Sequence, residues 1–252
     1  RTTMELGGKT PVIVCQDANL DGAIAGSLFS AFVASGQTCV SGARFVVHSD
    51  IYDQFITGMA ARADAITLGD PMLDSTQMGP VISQTSKDKC LRMIAQARMD
   101  GAVQVAGAQA SDLPAPFDAG YFVRPTILKD VRPDHELFLE EVFGPVISIT
   151  PYDDEAEALV LANTGTFGLG CSIWSRDISR AHRLSLGIRG GVVWLNDHHR
   201  NDPRSVWGGV RDSGFGKENG WDALKAYMTK KSVIVRTAAG HDDWFSGSNR
   251  YG

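Results

Sequence analysis

Two short clusters hold residues whose types suit one kind of chemistry. Cys39 ends the run Gly36-Gln37-Thr38-Cys39, and Glu5 opens the run Glu5-Leu6-Gly7-Gly8-Lys9, 34 residues earlier. A thiolate adds readily to a carbonyl carbon, and a carboxylate nearby can deprotonate the water that later releases the adduct. Each cluster is a weak signal alone. A cysteine after a glycine-bearing loop is more often a small buried apolar residue, and Glu before two glycines also suits a strand end and a tight turn.

The segments around these clusters predict how they are positioned. Pro11 to Cys15 is a short β-branched strand, with Asp17 to Asn19 as turn and capping residues before a helix. Ala23, Ile24, Ser27, Leu28, Ala31 and Phe32 follow at helical spacing, and the pattern ends near Gly36, so Cys39 falls in a loop just past a helix. Ala43 to His48 predicts a second strand, and Ile51 to Ile66 an amphipathic helix. Further strands are expected at 103–106, 122–128, 146–150, 169–174 and 192–195, with helices at 85–100, 154–163 and 178–187. This alternation argues for an α/β fold with a largely parallel open sheet and flanking helices. Residues 106–120 read as a surface loop, 217–228 as a helix, 232–236 as an isolated strand, and the polar tail with Trp244 and Phe245 as an extension.

Composition narrows the partners. The 252 residues are 43% hydrophobic with a net charge of −5, and the basic residues form no block, so neither nucleic acid nor an anionic membrane is the expected partner. Every apolar stretch is too interrupted to cross a bilayer. The four cysteines are widely spaced, with no Cys-x-x-Cys pair, which fits a reducing cytoplasm better than disulfides or a metal site. The opening run from Arg1 into Glu5 reads as the middle of something longer.

Taken together and in order, the motifs resemble the aldehyde dehydrogenase superfamily, specifically its C-terminal catalytic half. Glu-Leu-Gly-Gly-Lys and Gly-Gln-x-Cys occur at the family's separation. Glu140-Glu141-Val142-Phe143-Gly144-Pro145-Val146, Gly120 to Thr126, and Trp207-Gly208-Gly209 with Ser213-Gly214 match later blocks. The resemblance runs to about Thr237. It implies an NAD- or NADP-dependent enzyme that oxidises a small-molecule aldehyde to a carboxylic acid through a Cys39 thiohemiacetal and thioester, with Glu5 as the base. It implies that Glu141 binds the nicotinamide ribose, that Phe143 packs near the nicotinamide, and that Leu6 and Gly7 meet the carboxamide. Thr38 and Asn196 fall at the family's substrate pocket, and His198, His199, Arg200 and Asn201 occupy its variable wall, where basic groups favour a polar or anionic aldehyde.

The resemblance also implies a division of the chain. Residues 1–8 end a dinucleotide-binding domain, 9–212 form the catalytic domain, 213–231 return to the first domain, 232–237 form an oligomerisation strand, and 238–252 are a tail. The adenosine and pyrophosphate sites of the family, and one oxyanion donor, lie upstream of Arg1. The chain alone is therefore expected to bind dinucleotide poorly and to expose apolar surface at both ends, and a homodimer or larger homo-oligomer is expected. A rival reading is a stand-alone, redox-free thiol enzyme, a hydrolase, isomerase or cyclase, that keeps Cys39 and Glu5 without nicotinamide.

Overall fold

The computed structural model describes residues 2–107, 113, 115–237, 239–240 and 245. Its strands are β1 Met4–Glu5, β2 Thr10–Val14, β3 Gly42–His48, β4 Val103–Ala106, β5 Thr126–Lys129, β6 Val146–Tyr152, β7 Gly170–Trp174, β8 Val192–Leu195 and β9 Gly214–Phe215. The helices are α1 Leu20–Phe32, α2 Tyr52–Asp64, α3 Gln84–Met99, α4 Glu136–Leu139, α5 Glu155–Asn163, α6 Ile178–Gly187 and α7 Gly220–Ala226. Seven strands make one sheet in the order β4-β5-β6-β3-β2-β7-β8, parallel throughout except for the β4 edge.

The central strands are apolar in continuous runs because helices cover both faces. Val12 and Val14 of β2 pack with Phe45 and Val47 of β3 and with residues of α1 and α2. Ile13 faces the other way, into a core with Val46, Cys171, Ile173 and residues of α3, α5 and α6. Each such fully buried side chain contributes about 1.5–3 kcal/mol. Small residues bring α1 close to the sheet: a Cβ on Gly26 would collide with the Trp174 ring.

A second, two-stranded sheet pairs β1 with β9 antiparallel, setting Glu5 opposite Gly214. This long-range pairing holds Glu5 against the glycine loop at 208–209, because Trp207 and Glu218 also exchange backbone hydrogen bonds of 2.7 and 2.8 Å.

Several expected elements differ in extent. The strand expected at 122–128 forms only over Thr126–Lys129, since Pro125 has no N–H to give a ladder. The helix expected at 217–228 shortens to Gly220–Ala226, because Glu218 is taken by its bridge to Trp207. Residues 232–236 form no strand within this chain. Val233, Ile234 and Val235 are 78, 94 and 73% exposed, and a β-branched run without a neighbouring edge has no ladder to join. Apolar exposure continues at Met4, Leu6, Phe215, Trp221, Tyr227 and Met228. Most of the loop at 108–114 and the tail beyond 240, Trp244 included, lie outside the described residues. Phe245 is exposed. No helix among the described residues is long and apolar enough to cross a membrane.

Candidate active site

Every segment that brings chemistry to the site precedes a parallel strand. Glu5 to Gly8 precede β2, Thr38 and Cys39 precede β3, and Glu141 and Phe143 precede β6. The candidate site therefore lies at the N-terminal edge of the sheet, whereas open α/β sheets ordinarily bind ligands beyond the carboxyl ends of their strands.

The break after α1 delivers the cysteine. Ala34 and Ser35 take left-handed conformations with φ of 51° and 57°, and Gly36 follows with φ of 69°. Two non-glycine residues in that region stop the helix and turn the chain sharply. Gly36 packs on the Gly144-Pro145 peptide so closely that a Cβ would collide with the Gly144 carbonyl, which ties the cysteine loop to the Glu141 segment. Cys39 then sits in a turn closed by Ser41 N–H to the Thr38 carbonyl at 3.0 Å, with a second link between the Thr38 and Ser41 hydroxyls, also 3.0 Å.

Cys39 is half-buried and packs with Trp207 against Val40, Leu169 and Trp194, while the other three cysteines are buried. Burial pushes its thiol above the ordinary range, and the negative charges of Glu5 and then Glu141 push it further. The backbone N–H groups of Cys39 and Val40 act the other way. The thiol is thus protonated at neutral pH and needs a base to react.

Of the carboxylates, Glu5 is the one whose charge acts most strongly on that thiol. Its two oxygens are buried with no hydrogen-bond partner among the described residues, and a Cβ on Gly208 would come within 2.7 Å of Oε1. Burial raises its carboxyl, with help from the Glu218 charge. The Trp207 indole N–H, which favours the charged form without closing a hydrogen bond, and Lys217 oppose this. Lys217 also pins the loop by donating to the Gly208 carbonyl and, at 3.0 Å, to that of Gly209. A desolvated carboxylate with unfilled lone pairs, close to a thiol, suits general base work.

Behind Gly7 lies Glu141. The Gly8 N–H donates to its Oε1 at 2.8 Å, and a Cβ at Gly7 would strike its Oε2. Burial raises the Glu141 carboxyl, while the Gly8 N–H, Lys89 and Lys9 hold it down. Phe143 stands 41% exposed with φ of 57°, and it lines one crevice with Gly8, Gly36, Thr38 and Glu141. Leu6 is 44% exposed, and its N–H goes to the Ser213 carbonyl at 3.1 Å. These are residues that could hold the ribose and nicotinamide end of a dinucleotide. The second Glu141 oxygen could take a ribose hydroxyl and the Leu6 carbonyl could meet a carboxamide, while the absence of side chains at Gly7 and Gly8 lets Glu141 and the Cys39 carbonyl pack directly on this segment. Among the described residues no group of His, Cys, Asp and Glu could hold a metal.

The sequence profile of the aldehyde dehydrogenase family matches residues 1–233. The chain belongs to that family. As an aldehyde dehydrogenase chain it is 40% identical over 238 residues to a 4-trimethylaminobutyraldehyde dehydrogenase of Oryzias latipes, covering 94% of this chain and 47% of that protein. It is 39% identical to a betaine aldehyde dehydrogenase of Brucella anthropi, covering 92% and 48%. Among solved structures, a Staphylococcus aureus betaine aldehyde dehydrogenase in complex with NAD+ superposes with a TM-score of 0.90 at 34% identity, covering 97% of this chain and 48% of that one. An aldehyde dehydrogenase from Bacillus cereus gives 0.87 at 35% identity, covering 92% and 46%. The chain spans about half the length of the relatives it matches.

The wall at 196–201 is less basic than its letters suggest. His198 is buried with both ring nitrogens bonded, and burial foremost lowers its imidazole to about 4, so it is neutral. Arg200 is exposed and paired to Asp197 at 2.6 Å. His199 reaches Thr38 Oγ1 at 3.2 Å and is held below the usual histidine range by burial. Asn196 is anchored to the Ser175 backbone at 2.9 and 2.8 Å, and Asn201 approaches Asn219 at 3.3 Å. Three contributors were not singled out from sequence: Trp207 and Gly208 as the wall behind Glu5, and Lys9, buried with an unpartnered Nζ near Glu141. Their only sequence signal was membership of the matching glycine blocks.

Proposed function

We propose that this chain carries the chemical step of an NAD- or NADP-dependent aldehyde dehydrogenase that oxidises an aldehyde to its carboxylic acid. The observation that supports this most is the common placement of Cys39 and Glu5: Cys39 packs on the same small apolar cluster as Trp207, whose indole lies beside Glu5, the thiol feels the carboxylate's charge, and the carboxylate oxygens have no hydrogen-bond partner among the described residues. Glu5 takes the thiol proton as the sulfur adds to the carbonyl carbon, and the Cys39 N–H faces the oxyanion that forms. Glu141, Phe143, Leu6 and Gly7 are the residues that would hold the ribose and nicotinamide. When bound, the dinucleotide accepts the hydride whose loss leaves a thioester on Cys39. Glu5, having returned its first proton to solvent, then deprotonates the water that attacks the thioester carbon. The C–S bond breaks, the acid leaves, and the sulfur regains a proton.

The Glu141 cradle favours this oxidative reading over a redox-free thiol enzyme, since ester or thioester hydrolysis gives Glu141 no task. Self-association through the exposed 232–236 segment and residence in a reducing cytoplasm, where four free cysteines persist, belong to the same reading.

The test sets aldehyde-dependent NADH formation beside hydrolysis of p-nitrophenyl acetate in the full-length protein. Loss of both activities in Cys39→Ser is the expected result. Ester cleavage with no reduction of NAD or NADP by any aldehyde would favour the redox-free reading, and undiminished activity in Cys39→Ser would exclude thiol catalysis altogether.

A further inference from the structure

After β8 the chain reverses and runs back along the sheet. Asn196 binds the backbone of Ser175 at the end of β7, His198 reaches Ser172 in its middle, and His199 reaches Thr38 beside the cysteine. The reversal needs left-handed backbone at Asn196 and His199, with φ of 54° and 63°. Trp194 locks it by donating its indole N–H to the Arg200 carbonyl at 2.8 Å. Such strained positions persist only where surrounding contacts over-determine them.

Two consecutive histidines emerge from this reversal onto the turn that carries Cys39. The His198 Nε2 lies 2.8 Å from the Val40 carbonyl, which can only accept, so Nε2 carries the proton. The neutral ring then accepts at Nδ1 from the Ser172 hydroxyl. The ring is 4% exposed and packs on Trp194 at 4.9 Å between centroids. With both nitrogens engaged, it has no hydrogen-bonding capacity left for a substrate. His199 meets the Thr38 hydroxyl on the other side of the cysteine and packs edge-on against Phe29 at 5.6 Å.

We propose that His198 is a positioning residue for the nucleophile: by fixing the Val40 carbonyl it holds the backbone directly after Cys39, while His199 ties down Thr38 at the turn's other end. The idea rests on the proposed function only in taking Cys39 as the nucleophile. The groups acting on the sulfur are the carboxylates Glu5 and Glu141, which raise the thiol, and the backbone N–H groups of Cys39 and Val40, which lower it. Loosening Val40 removes one of the two groups that favour the thiolate, so the thiol should become harder to ionise.

The test is the rate of iodoacetamide alkylation of Cys39, mapped by peptide mass spectrometry across neutral to alkaline pH, in the full-length protein. His198→Phe keeps the ring volume and removes both hydrogen bonds. It should raise the alkylation midpoint by about half a pH unit or more, lowering the rate near neutral pH about threefold. His198→Gln, whose amide can still donate to Val40, should restore most of the rate. Ser172→Ala, which frees the tautomer but leaves the ring, should shift the midpoint in the same direction by less, and it serves if His198→Phe does not fold. An unchanged midpoint in His198→Phe, or in Ser172→Ala where that stands in, would overturn the proposal, as would equal damage from Phe and Gln. Alkylation needs neither aldehyde nor dinucleotide. Aldehyde oxidation surviving Cys39→Ser would therefore sink the functional reading without moving these midpoints.

Discussion

Lys9 carries a charge into the core at a cost, and replacing it with methionine should stabilise the protein. Its side chain is fully buried, Nζ has no hydrogen-bond partner among the described residues, and burial lowers its amine from 10.5 to about 7, with Arg44 adding to the effect and Glu141 opposing it. At about 1.4 kcal/mol per pH unit, that displacement sets a ceiling of about 5 kcal/mol on the cost of keeping the charge inside. The unfolded chain holds the proton up to pH 10.5 and the folded chain only to about 7, so between these limits the unfolded state binds more protons. Stability is therefore fully present above pH 10.5, falls as pH drops through that window, and reaches its low plateau below about 7. Lys9→Met removes the charge at nearly constant volume and should gain about 2–4 kcal/mol at pH 7. Urea unfolding of both proteins from pH 6 to 10 measures this as a gap that closes toward alkaline pH. A variant less stable than the parent at pH 7, or a gap independent of pH, would refute the reasoning and mean that Nζ has a partner. The same change removes a positive charge that holds the Glu141 carboxyl down, so weaker dinucleotide binding should accompany the gain.

Gly7→Ala drives a methyl into the Glu141 carboxylate. Titration should show dinucleotide affinity falling about tenfold or more, the worth of one charged hydrogen bond, while p-nitrophenyl acetate hydrolysis persists. Gly191→Ala would overlap the Gly208 carbonyl, backbone against backbone. Calorimetry or urea unfolding should record a loss of about 3 kcal/mol or more, and a near-neutral result would mean that the 208–209 loop is free to move away from β8.

The sheet was largely legible because its central strands are buried on both faces and read as β-branched runs, as Val12-Ile13-Val14 and Phe45-Val46-Val47 do. The same propensity misled at 122–125, where Pro125 ends the ladder, while the Val-Ile-Val run at 232–236, read as pairing outside the main sheet, joins no edge among the described residues. Cys39 was readable from the end of α1. What holds Glu5 was not, since β1 and β9 are two residues each, too short for any periodicity, and pair across more than two hundred positions. The burial of Lys9 and His198 was not legible from their charged and imidazole side chains. Both are buried, because the motif glycines bring Lys9 in behind the sheet edge and the reversal after β8 folds His198 inward.

The central claim is that the Cys39 sulfur and the Glu5 carboxylate act on one bound acyl group. Intact-mass analysis of acid-quenched turnover in full-length Glu5→Gln, with a panel of small aldehydes and NAD, tests it directly. The account predicts slow adduct formation that recovers at alkaline pH, where the thiol ionises without Glu5, an acyl adduct that then persists on the peptide bearing Cys39 because its hydrolysis has lost the same base, and steady turnover reduced about a hundredfold. Parental turnover with no adduct, or an adduct on another residue, would contradict it.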